Sequence, residues 1–515
     1  MHRKQFLHTS LRMRTTVLYA LTLAMALFLV SCAGGQVKKK EPVYRLGVQI
    51  STFAPLVAHD LGLPEDIKGV LVMAVSQGSP AATAGVRSGD VIAGIKMPDG
   101  KLQETPDTTA LLELLKKMPI DRSVALSILR DGKTMDISSM RSTRQFSGYV
   151  QPGSRPEPRT IKVAPDGSGD CRTITGAMLS ARPGDTILLS RAPGPGGVYG
   201  SFQLFLDNLT VRSEDPANRA VVQQIVVDGL SGVKLADLEF QVSQQGSWPG
   251  VHVQGSKEVT VENCTFSGYV KAVTISGSRE VFISGNRMEE NALGILVDSG
   301  SEFKIKDNLI TGTGVRWADS KGIYISGSRG TVSNNTILYY KVGTEAFIND
   351  LKNGGYGGYN VTGVGIYVGQ GSNVSIENNI VYDNSAGIYV QAGETTHYRV
   401  EYNDIFQNTM ETGQTGSRDF ADYLTGSDWN ISKGVKKRHE SSPILSLSIW
   451  DHNYYAPNPM PLSRTNLSRD PFFNDPVRGD YRLAADSPLV GRGRGGTYIG
   501  AFPPIEQKAG TGEFK

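Results

Sequence analysis

The sequence predicts a mostly β protein with two folded units, the longer of which is a parallel solenoid. The chain has 515 residues, which is too long for one ordinary hydrophobic core. Its 59 glycines and 25 prolines indicate many tight turns rather than long helices. Turns centred on asparagine also recur along the second half of the chain at a nearly constant spacing.

The spacing of these turns gives the length of one coil. The recurring asparagines are Asn263, Asn286, Asn308, Asn335, Asn379 and Asn403. Their separations of 23, 22, 27, 44 and 24 residues fit a coil of about 22 residues with two insertions. A single coil cannot bury its own apolar side chains, so the coils must stack. We expect asparagines at the same turn of successive coils to hydrogen-bond along the stack.

The ends of the repeat region carry motifs of a known superfamily. Residues 163–170 lead into a predicted helix from Thr173 to Ala181, and residues 470–472 and 479–483 form short closing motifs. These segments resemble the N-terminal cap and the closing segment of the pectin-lyase-like superfamily. The resemblance implies a right-handed parallel β-helix with an N-terminal cap over residues 160–505, followed by a tail at 506–515.

The block at residues 43–140 resembles the PDZ domains of the envelope trypsin-like proteases. The resemblance rests on residues 44–49, 69–72, 78–86 and 88–92. It implies a carboxylate-binding loop at Arg45, Leu46, Gly47 and Val48, beside which a peptide adds as a strand. A capped helix is predicted from Thr105 to Met118. The alternative is a PDZ fold that serves only as a spacer or a dimer surface.

A polar linker, residues 141–159, joins this block to the repeat region. No protease unit accompanies the PDZ block, because the chain lacks a glycine-flanked nucleophilic serine of the usual types. The sequence therefore predicts that the protein is not a protease.

The N-terminus has the pattern of a secretory signal. A basic start precedes an apolar stretch from Val17 to Val30, and residues 29–32 (Leu-Val-Ser-Cys) resemble a bacterial lipobox. The resemblance implies a signal peptide at 1–31, lipidation of Cys32 and a tether at 32–42. It also implies an outer-membrane anchor facing the periplasm, because no aspartate follows Cys32. An ordinary secretory signal or an uncleaved anchor is the alternative. The remaining cysteines, Cys171 and Cys264, are expected to be buried free thiols.

A second strand recurs in register and predicts a surface for sugars. Because strand side chains alternate between faces, one outward column should contain His252, Thr274, Leu296, Tyr324, Tyr367 and Tyr389. Its three tyrosines would form an exposed ladder about 10 Å long. The sequence thus predicts a carbohydrate platform formed by His252, Tyr324, Tyr367 and Tyr389, with Trp317 from a nearby insertion. Cross-strand stabilisation is an equally good explanation of the tyrosines.

Two insertions, at 311–321 and 341–363, precede strands of this column. Long loops on a rigid scaffold often carry function. The candidate catalytic residues are Asp298, Arg316, Asp319 and Lys321, and an arginine such as Arg316 is suited to grip a uronate carboxylate. The resemblance to pectate lyases makes calcium a candidate cofactor, and no other metal or cofactor is predicted. The paired aspartates of polygalacturonases and pectin methylesterases are missing from this domain.

These observations predict a lipid-anchored envelope protein. Its β-helix would bind an acidic polysaccharide and, if it is an enzyme, act as a lyase, hydrolase or epimerase. Its PDZ domain would dock a protein C-terminus or β-strand. The net charge of +3 and the absence of a long basic stripe argue against a nucleic-acid partner. The competing function is a non-enzymatic scaffold for envelope assembly or adhesion.

Overall fold

A computed structural model describes most of the chain from Leu46 to Ile505. The residues it leaves undescribed within that range are 65, 98, 119–122, 141–147, 195–196, 243–247, 313–319, 341–362, 385, 391–394, 407, 409–448 and 452–464. Within the described residues, no helix has the length and apolar content needed to span a bilayer.

The first unit is an antiparallel sheet with three short helices. Its strands are β1 Val48–Thr52, β2 Val70–Val75, β3 Val91–Lys96, β4 Leu102–Glu104, β5 Val124–Arg130 and β6 Lys133–Met140. They lie in the order β1-β2-β3-β5-β6, with β4 paired to β3. The helices are α1 Pro55–Asp60, α2 Pro80–Ala84 and α3 Thr108–Lys117.

The helix predicted over 105–118 is α3, which begins three residues later than expected. The Asp107 carboxylate accepts a hydrogen bond from the Ala110 amide at 2.8 Å and caps the helix. Leu111 and Leu115 are buried in the core of the unit, whereas Leu112 is 47% exposed.

The second unit is a parallel β-solenoid of about nine turns. One wall, wall A, consists of β7 Thr160–Val163, β8 Thr186–Leu189, β10 Thr210–Ser213, β12 Lys234–Ala236, β15 Thr260–Glu262, β18 Val281–Ser284, β21 Glu302–Lys306, β24 Arg329–Ser333, β27 Asn373–Glu377 and β30 His397–Glu401. Wall B consists of β13 Glu239–Gln241, β16 Thr265–Ser267, β19 Arg287–Glu289, β22 Leu309–Thr311, β25 Thr336–Leu338, β28 Ile380–Tyr382 and β31 Asp404–Phe406. Wall C consists of β9 Val198–Leu204, β11 Val221–Asp228, β14 Val251–Gln254, β17 Lys271–Ser276, β20 Leu293–Asp298, β23 Lys321–Ile325, β26 Val364–Val368, β29 Ala386–Val390 and β32 Ile449–Asp451.

Helix α4, Ile174–Ser180, packs against the first strand of wall A, β7, within the segment predicted as the cap. Its first turn is capped by the Thr173 hydroxyl, which accepts a hydrogen bond from the Gly176 amide at 3.0 Å. Apolar side chains from the three walls and α4 form one continuous core inside the stack. Cys171 and Cys264 are buried free thiols, as predicted.

The predicted asparagine ladder runs along the corner between walls A and B. Side-chain amides link Asn286, Asn308, Asn335, Asn379, Asn403 and Asn466 in succession, with Nδ2 to Oδ1 distances of 2.9 to 3.1 Å. The ladder therefore supplies partners to a corner that is closed to water.

The prediction that Asn263 begins this ladder is wrong. Asn263 has a left-handed backbone with φ of 50°, and its neighbour Cys264 occupies the ladder position. The Cys264 amide donates to Asn286 Oδ1 at 2.9 Å, so the first spacing is 22 residues rather than 23. A buried thiol takes this position because it needs fewer hydrogen-bond partners than an amide side chain.

The closing segment packs against the side of the later coils. It contains β33 Phe473–Asp475, β34 Asp480–Leu483 and two 3-10 turns, Pro476–Arg478 and Arg494–Gly496. Leu483, Leu489 and Ile499 pack against Ile380 of β28. The Ala501 amide donates to Thr336 Oγ1 at 2.9 Å, which ties the end of the segment to wall B.

Candidate functional site: an outward column on wall C and a groove in the first unit

Wall C aligns the predicted column, one residue from each coil. The register pairs His252 with Thr274, Thr274 with Leu296, Leu296 with Tyr324, Tyr324 with Tyr367, and Tyr367 with Tyr389. The aliphatic residues on either side of each column member point into the core. The predicted register is therefore correct at all six positions.

The three tyrosines stack, but they are not exposed. Ring centroids of Tyr324 and Tyr367 are 4.9 Å apart, and those of Tyr367 and Tyr389 are 5.1 Å apart. The prediction of an open solvent-facing ladder is wrong, because Tyr367 is 1% exposed and Tyr389 is 5% exposed. With Val364 they form a small apolar cluster outside the main core, against which Tyr324 packs. This stack stabilises neighbouring coils.

Lys321 lies at the edge of this tyrosine stack. Its side chain is buried, and Nζ lies 5.7 Å from the ring centroids of both Tyr324 and Tyr367. An ammonium at this distance interacts favourably with the faces of aromatic rings. Lys321 thus lies beside the tyrosines in a largely desolvated position.

Asp298 lies far from Lys321, so the structure does not bring these two candidate catalytic residues together. Lys321 pairs with Leu293 at the start of β20, whereas Asp298 ends that strand five residues later. At the rise of a β-strand this separation is about 16 Å. Asp298 instead accepts a hydrogen bond from the Ser276 hydroxyl at 2.6 Å.

His252 forms a polar network near the beginning of the column. Its Nδ1 lies 2.6 Å from Thr274 Oγ1, and its Nε2 lies 3.0 Å from Gln254 Oε1. Because an amide oxygen only accepts, Nε2 is the donor in the contact with Gln254. The ring is half-buried and held in one orientation. It therefore presents a defined polar edge on wall C.

Five other predicted site residues lie outside the described residues. These are the lipidation site Cys32, the loop residue Arg45, and Arg316, Trp317 and Asp319 with most of both insertions. No group of three or more His, Cys, Asp or Glu side chains suited to a metal occurs within the described parts of the chain. The calcium prediction therefore has no ligand set among those residues.

A second candidate site lies in the first unit, between β1 and α3. Strand β1 is the outer strand of its sheet, with β2 on one side only. Leu46 and Gly47 precede it, and Gly47 has φ of 75°, a conformation that glycine adopts without strain. The Thr52 and Thr108 hydroxyls lie 3.2 Å apart and bring the start of α3 next to the end of β1. Leu112, one helical turn after Thr108, lies on the same side of α3 as Thr108, which is the side next to β1.

Sequence reasoning missed a group of residues where the two units meet. Tyr149, from the segment between the units, accepts a hydrogen bond from Gln203 Nε2 at 2.8 Å, and burial raises the pKa of its hydroxyl. Asp228 ends β11 on wall C, and burial raises the pKa of its carboxyl while the nearby His252 lowers it. No repeat or motif marks these residues, because they meet only when the units dock.

Comparison with known families agrees with this architecture. The profile of the right handed beta helix region family matches residues 223–428, and that of the PDZ domain family matches residues 36–139. The chain thus contains a PDZ domain followed by a right-handed parallel β-helix.

Similar curated proteins match only part of this chain. A protein named "Probable periplasmic serine endoprotease DegP-like" from Rickettsia conorii is 34% identical over 93 residues, which are 18% of this chain and 17% of that protein. A "Magnetosome formation protease MamE" from Paramagnetospirillum magneticum is 27% identical over 148 residues, which are 29% of this chain and 19% of that one. The chain spans less than a quarter of the length of these relatives.

Among solved structures, the chain is similar to an alginate lyase from Paenibacillus sp. str. FPU-7, with 16% identity and a TM-score of 0.30. The match covers 48% of this chain and 87% of that one. A structure titled "HtrA-type protease AlgW with decapeptide" is 26% identical with a TM-score of 0.18, over 20% of this chain and 30% of that chain.

Proposed function

We propose that the protein is a membrane-anchored envelope adaptor that docks a polypeptide C-terminus or strand on its PDZ domain and binds a polysaccharide on wall C. The observation that carries the docking function is the position of β1, at the outer side of its sheet and next to α3. An extended peptide can add to such an edge through main-chain hydrogen bonds. The loop at Leu46 and Gly47 would receive its terminal carboxylate.

Two matched leucines test the docking function. Leu112 and Leu102 are both 47% exposed, but only Leu112 lies beside β1. Leu112→Glu should weaken the binding of peptides with an apolar C-terminal residue at least tenfold, because it places a charge in the groove. Leu102→Glu should leave their affinity unchanged. Equal affinities for both variants, measured by fluorescence anisotropy, would contradict docking in this groove.

The polysaccharide function is supported by the one-per-coil column of wall C. His252 and Thr274 give it polar hydrogen-bonding groups, and the register also aligns Lys271, Leu293 and Lys321 along the edge where the strands begin. The ammonium group of Lys271 on this edge favours an acidic chain such as a polyuronate. Trp317, Arg316 and Asp319 belong to the insertion that precedes Lys321 and remain proposed contacts.

Lys271 allows a matched test of glycan binding. Lys271→Ala should weaken binding to alginate or pectate severalfold, whereas Lys304→Ala, a lysine on the outward side of wall A, should have no effect. The readout is the dissociation constant at two salt concentrations, because ionic contacts weaken as salt rises. Unchanged binding in the Lys271 variant would contradict glycan binding on wall C.

Binding is favoured over catalysis by the separation of Asp298 from Lys321. An acid–base pair must reach the same sugar ring, and about 16 Å between the two positions is too far for that. The competing scaffold function is favoured by the burial of the tyrosine stack. Incubation with alginate, pectate and cell-wall glycans, with and without calcium, tests this choice. Unsaturated products or new reducing ends would establish an enzyme.

The envelope location and the anchor at Cys32 rest on the N-terminal sequence and on the word "periplasmic" in the names of the relatives. The wild-type protein should fractionate with outer membranes and incorporate labelled palmitate. Cys32→Ser should prevent lipid attachment. Palmitate incorporation in that variant would place the modification elsewhere.

A further inference from the structure

Trp248 is an exposed aromatic residue at the edge of wall C where the strands begin. It lies three residues before β14, and its side chain is 74% exposed, more than any other aromatic side chain that the structure describes. The stack that the sequence predicted as a sugar platform is instead closed, with Tyr367 and Tyr389 buried. Among the described residues of this wall, the aromatic ring open to a ligand is therefore that of Trp248.

The backbone beside Trp248 is held in place from two sides. Pro249 O accepts a hydrogen bond from Gln224 Nε2 at 3.0 Å, on the preceding coil. The Gly250 amide donates to Lys271 O at 3.3 Å, on the following coil. A methyl group added to Gly250 would lie 3.1 Å from a carbonyl oxygen of β17, so glycine allows this close approach. Because a residue before proline keeps an extended backbone, the indole has a fixed base and loses little entropy on binding.

The turns next to this segment stay low along the edge. Strand β16 ends at Ser267 and β17 begins at Lys271, so only three residues form the turn between them. Tyr269 in this turn is buried, and its hydroxyl donates to Gln223 O at 2.6 Å. Its amide donates to the buried Asn291 of the next turn at 2.9 Å. The side chains of both turns thus point into the stack and leave the edge beside Trp248 accessible.

Lys271 places a cation on the same edge. Register aligns it with Lys321 and Val364 of later coils, which lie with the tyrosine stack outside the main core, so this position points outward. The Lys271 side chain is half-buried and forms no ion pair within the parts of the chain that the structure describes. Pro249 continues the register opposite Lys271, so the Cα atoms of Trp248 and Lys271 are about 6 Å apart.

An indole and an ammonium at this spacing match the two surfaces of a hexuronate. The C–H bonds on one face of a pyranose ring are attracted to the negative face of an aromatic ring. The carboxylate lies at the edge of the same sugar ring, where an ammonium beside the aromatic surface can pair with it. Both side chains are long enough to reach one sugar unit from neighbouring positions.

We propose that Trp248 and Lys271 form a uronate subsite at the edge of wall C, in which Trp248 stacks against the sugar ring and Lys271 pairs with its carboxylate. This inference rests on the proposed polysaccharide function. It assigns recognition of the ring to one exposed tryptophan on the first coils and leaves the tyrosine stack with a structural role. The ligand it describes has both a C–H face and a carboxylate.

The test uses the full chain, hexasaccharides prepared from alginate and from pectate, and poly-glutamate, an anion without a sugar ring. Trp248→Ala should weaken hexasaccharide binding about tenfold and leave the binding of poly-glutamate unchanged. Trp248→Phe should keep most of the affinity, because it retains an aromatic face. Lys271→Ala should weaken the binding of all three ligands. Isothermal titration calorimetry gives the dissociation constants.

Phe472→Ala is the matched control. Phe472 is an aromatic residue that is 48% exposed, but it lies beside β33 in the closing segment, and its variant should bind as the wild type does. Wild-type hexasaccharide affinity in Trp248→Ala, together with a loss in Lys271→Ala, would overturn the inference while glycan binding on wall C stands. An equal loss for poly-glutamate in Trp248→Ala would also overturn it, because the indole would then act without a sugar face. If neither hexasaccharide binds the wild type, the polysaccharide function itself fails, and this inference with it.

Discussion

Asn335 forms hydrogen bonds with coils on both sides of it. Its Nδ2 donates to Ile305 O and Asn379 Oδ1, and its Oδ1 accepts from the backbone and side-chain amides of Asn308. Asn335→Ala leaves several buried groups without partners, so we expect the free energy of unfolding to fall by about 2–4 kcal/mol. Chemical denaturation followed by circular dichroism measures this change.

The neighbouring Asn334 provides the control for that variant. It has φ of 52°, which glycine tolerates, and its Nδ2 donates only a 3.3 Å bond to Tyr498 O. Asn334→Gly should therefore change stability much less than Asn335→Ala. Similar losses in both variants would mean that the ladder does not stabilise the stack.

The sequence predicted the ladder correctly from Asn286 onward, because each coil repeats one residue type at one turn. It did not distinguish Asn263 from Cys264 at the first rung. Two kinds of asparagine occur next to each other at these turns. One has a left-handed backbone conformation, and the other has a buried side-chain amide. Because their positions differ by one residue, the repeat spacing alone does not distinguish them. Only the hydrogen bond from Cys264 to Asn286 does so.

Cys264 is expected to react with thiol reagents only when the protein opens. It is fully buried, and burial raises the pKa of its thiol to about 12. Very little thiolate is therefore present at pH 8 in the folded state, and the reagent cannot reach it. Labelling followed by peptide mass spectrometry should show modification of Cys264 in denaturant and none under native conditions. Rapid native labelling at this position would contradict the burial.

Individual strands and helices were predicted more reliably than their exposure. The outward column of wall C has the predicted register because strand alternation depends on local backbone geometry. Tyr367 and Tyr389 are nevertheless buried. Strand alternation predicts which face a side chain is on, but it does not predict which other residues cover that face. Helix α3 begins at Thr108 rather than at Thr105 because the side chain of Asp107 caps it there.

Strand β31 carries a buried carboxyl that links it to the closing segment. Asp404 Oδ1 accepts from the Arg469 amide at 2.9 Å, whereas Oδ2 is buried and has no hydrogen-bond partner among the described residues. Burial and the nearby Asp470 raise the pKa of the Asp404 carboxyl to about 7, although the Arg469 amide bond and guanidinium oppose this change. The folded state therefore keeps a proton that the unfolded state releases near pH 4.

This raised pKa gives stability a definite dependence on pH. Between about pH 4 and pH 7 only the folded state binds the proton, so the free energy of unfolding falls as pH rises, by about 4 kcal/mol in total. Above pH 7 both states are ionised and no further loss follows. Asp404→Asn should remove this dependence of the unfolding free energy on pH, measured by denaturation at several pH values. Asp470→Asn should largely keep it. A wild-type slope in Asp404→Asn would exclude this carboxyl as the cause.

At the scale of the whole molecule, the PDZ domain and the β-helix are joined by a buried contact. The Asp60 carboxylate, at the end of α1, accepts hydrogen bonds from the Arg172 and Thr173 amides and the Thr173 hydroxyl at 2.9, 2.9 and 2.6 Å. It therefore satisfies donors at the N-terminus of α4. The sequence gives no sign of this contact, because 112 residues separate Asp60 from Arg172.

Gly176 is needed for the same contact. A methyl group at this position would lie 2.5 Å from Asp60 Oδ2, closer than atoms can approach. The contact of α4 thus requires both the Asp60 carboxylate of the PDZ domain and a glycine at position 176 of the β-helix. The position of the PDZ domain beside the first coils depends on this contact and on the hydrogen bonds of residues 148–150 to β2.

Asp60→Ala should uncouple the two units without unfolding the β-helix. The variant leaves buried donors at the start of α4 unsatisfied, which costs about 2–4 kcal/mol. We expect amides of β2 and β3 to exchange hydrogen faster than in the wild type, while amides of β18 and β21 keep their protection. Asp99→Ala, at a largely exposed aspartate on the same domain, should leave both sets unchanged. If Asp60→Ala preserves the exchange rates of β2 and β3, the carboxylate does not hold the units together.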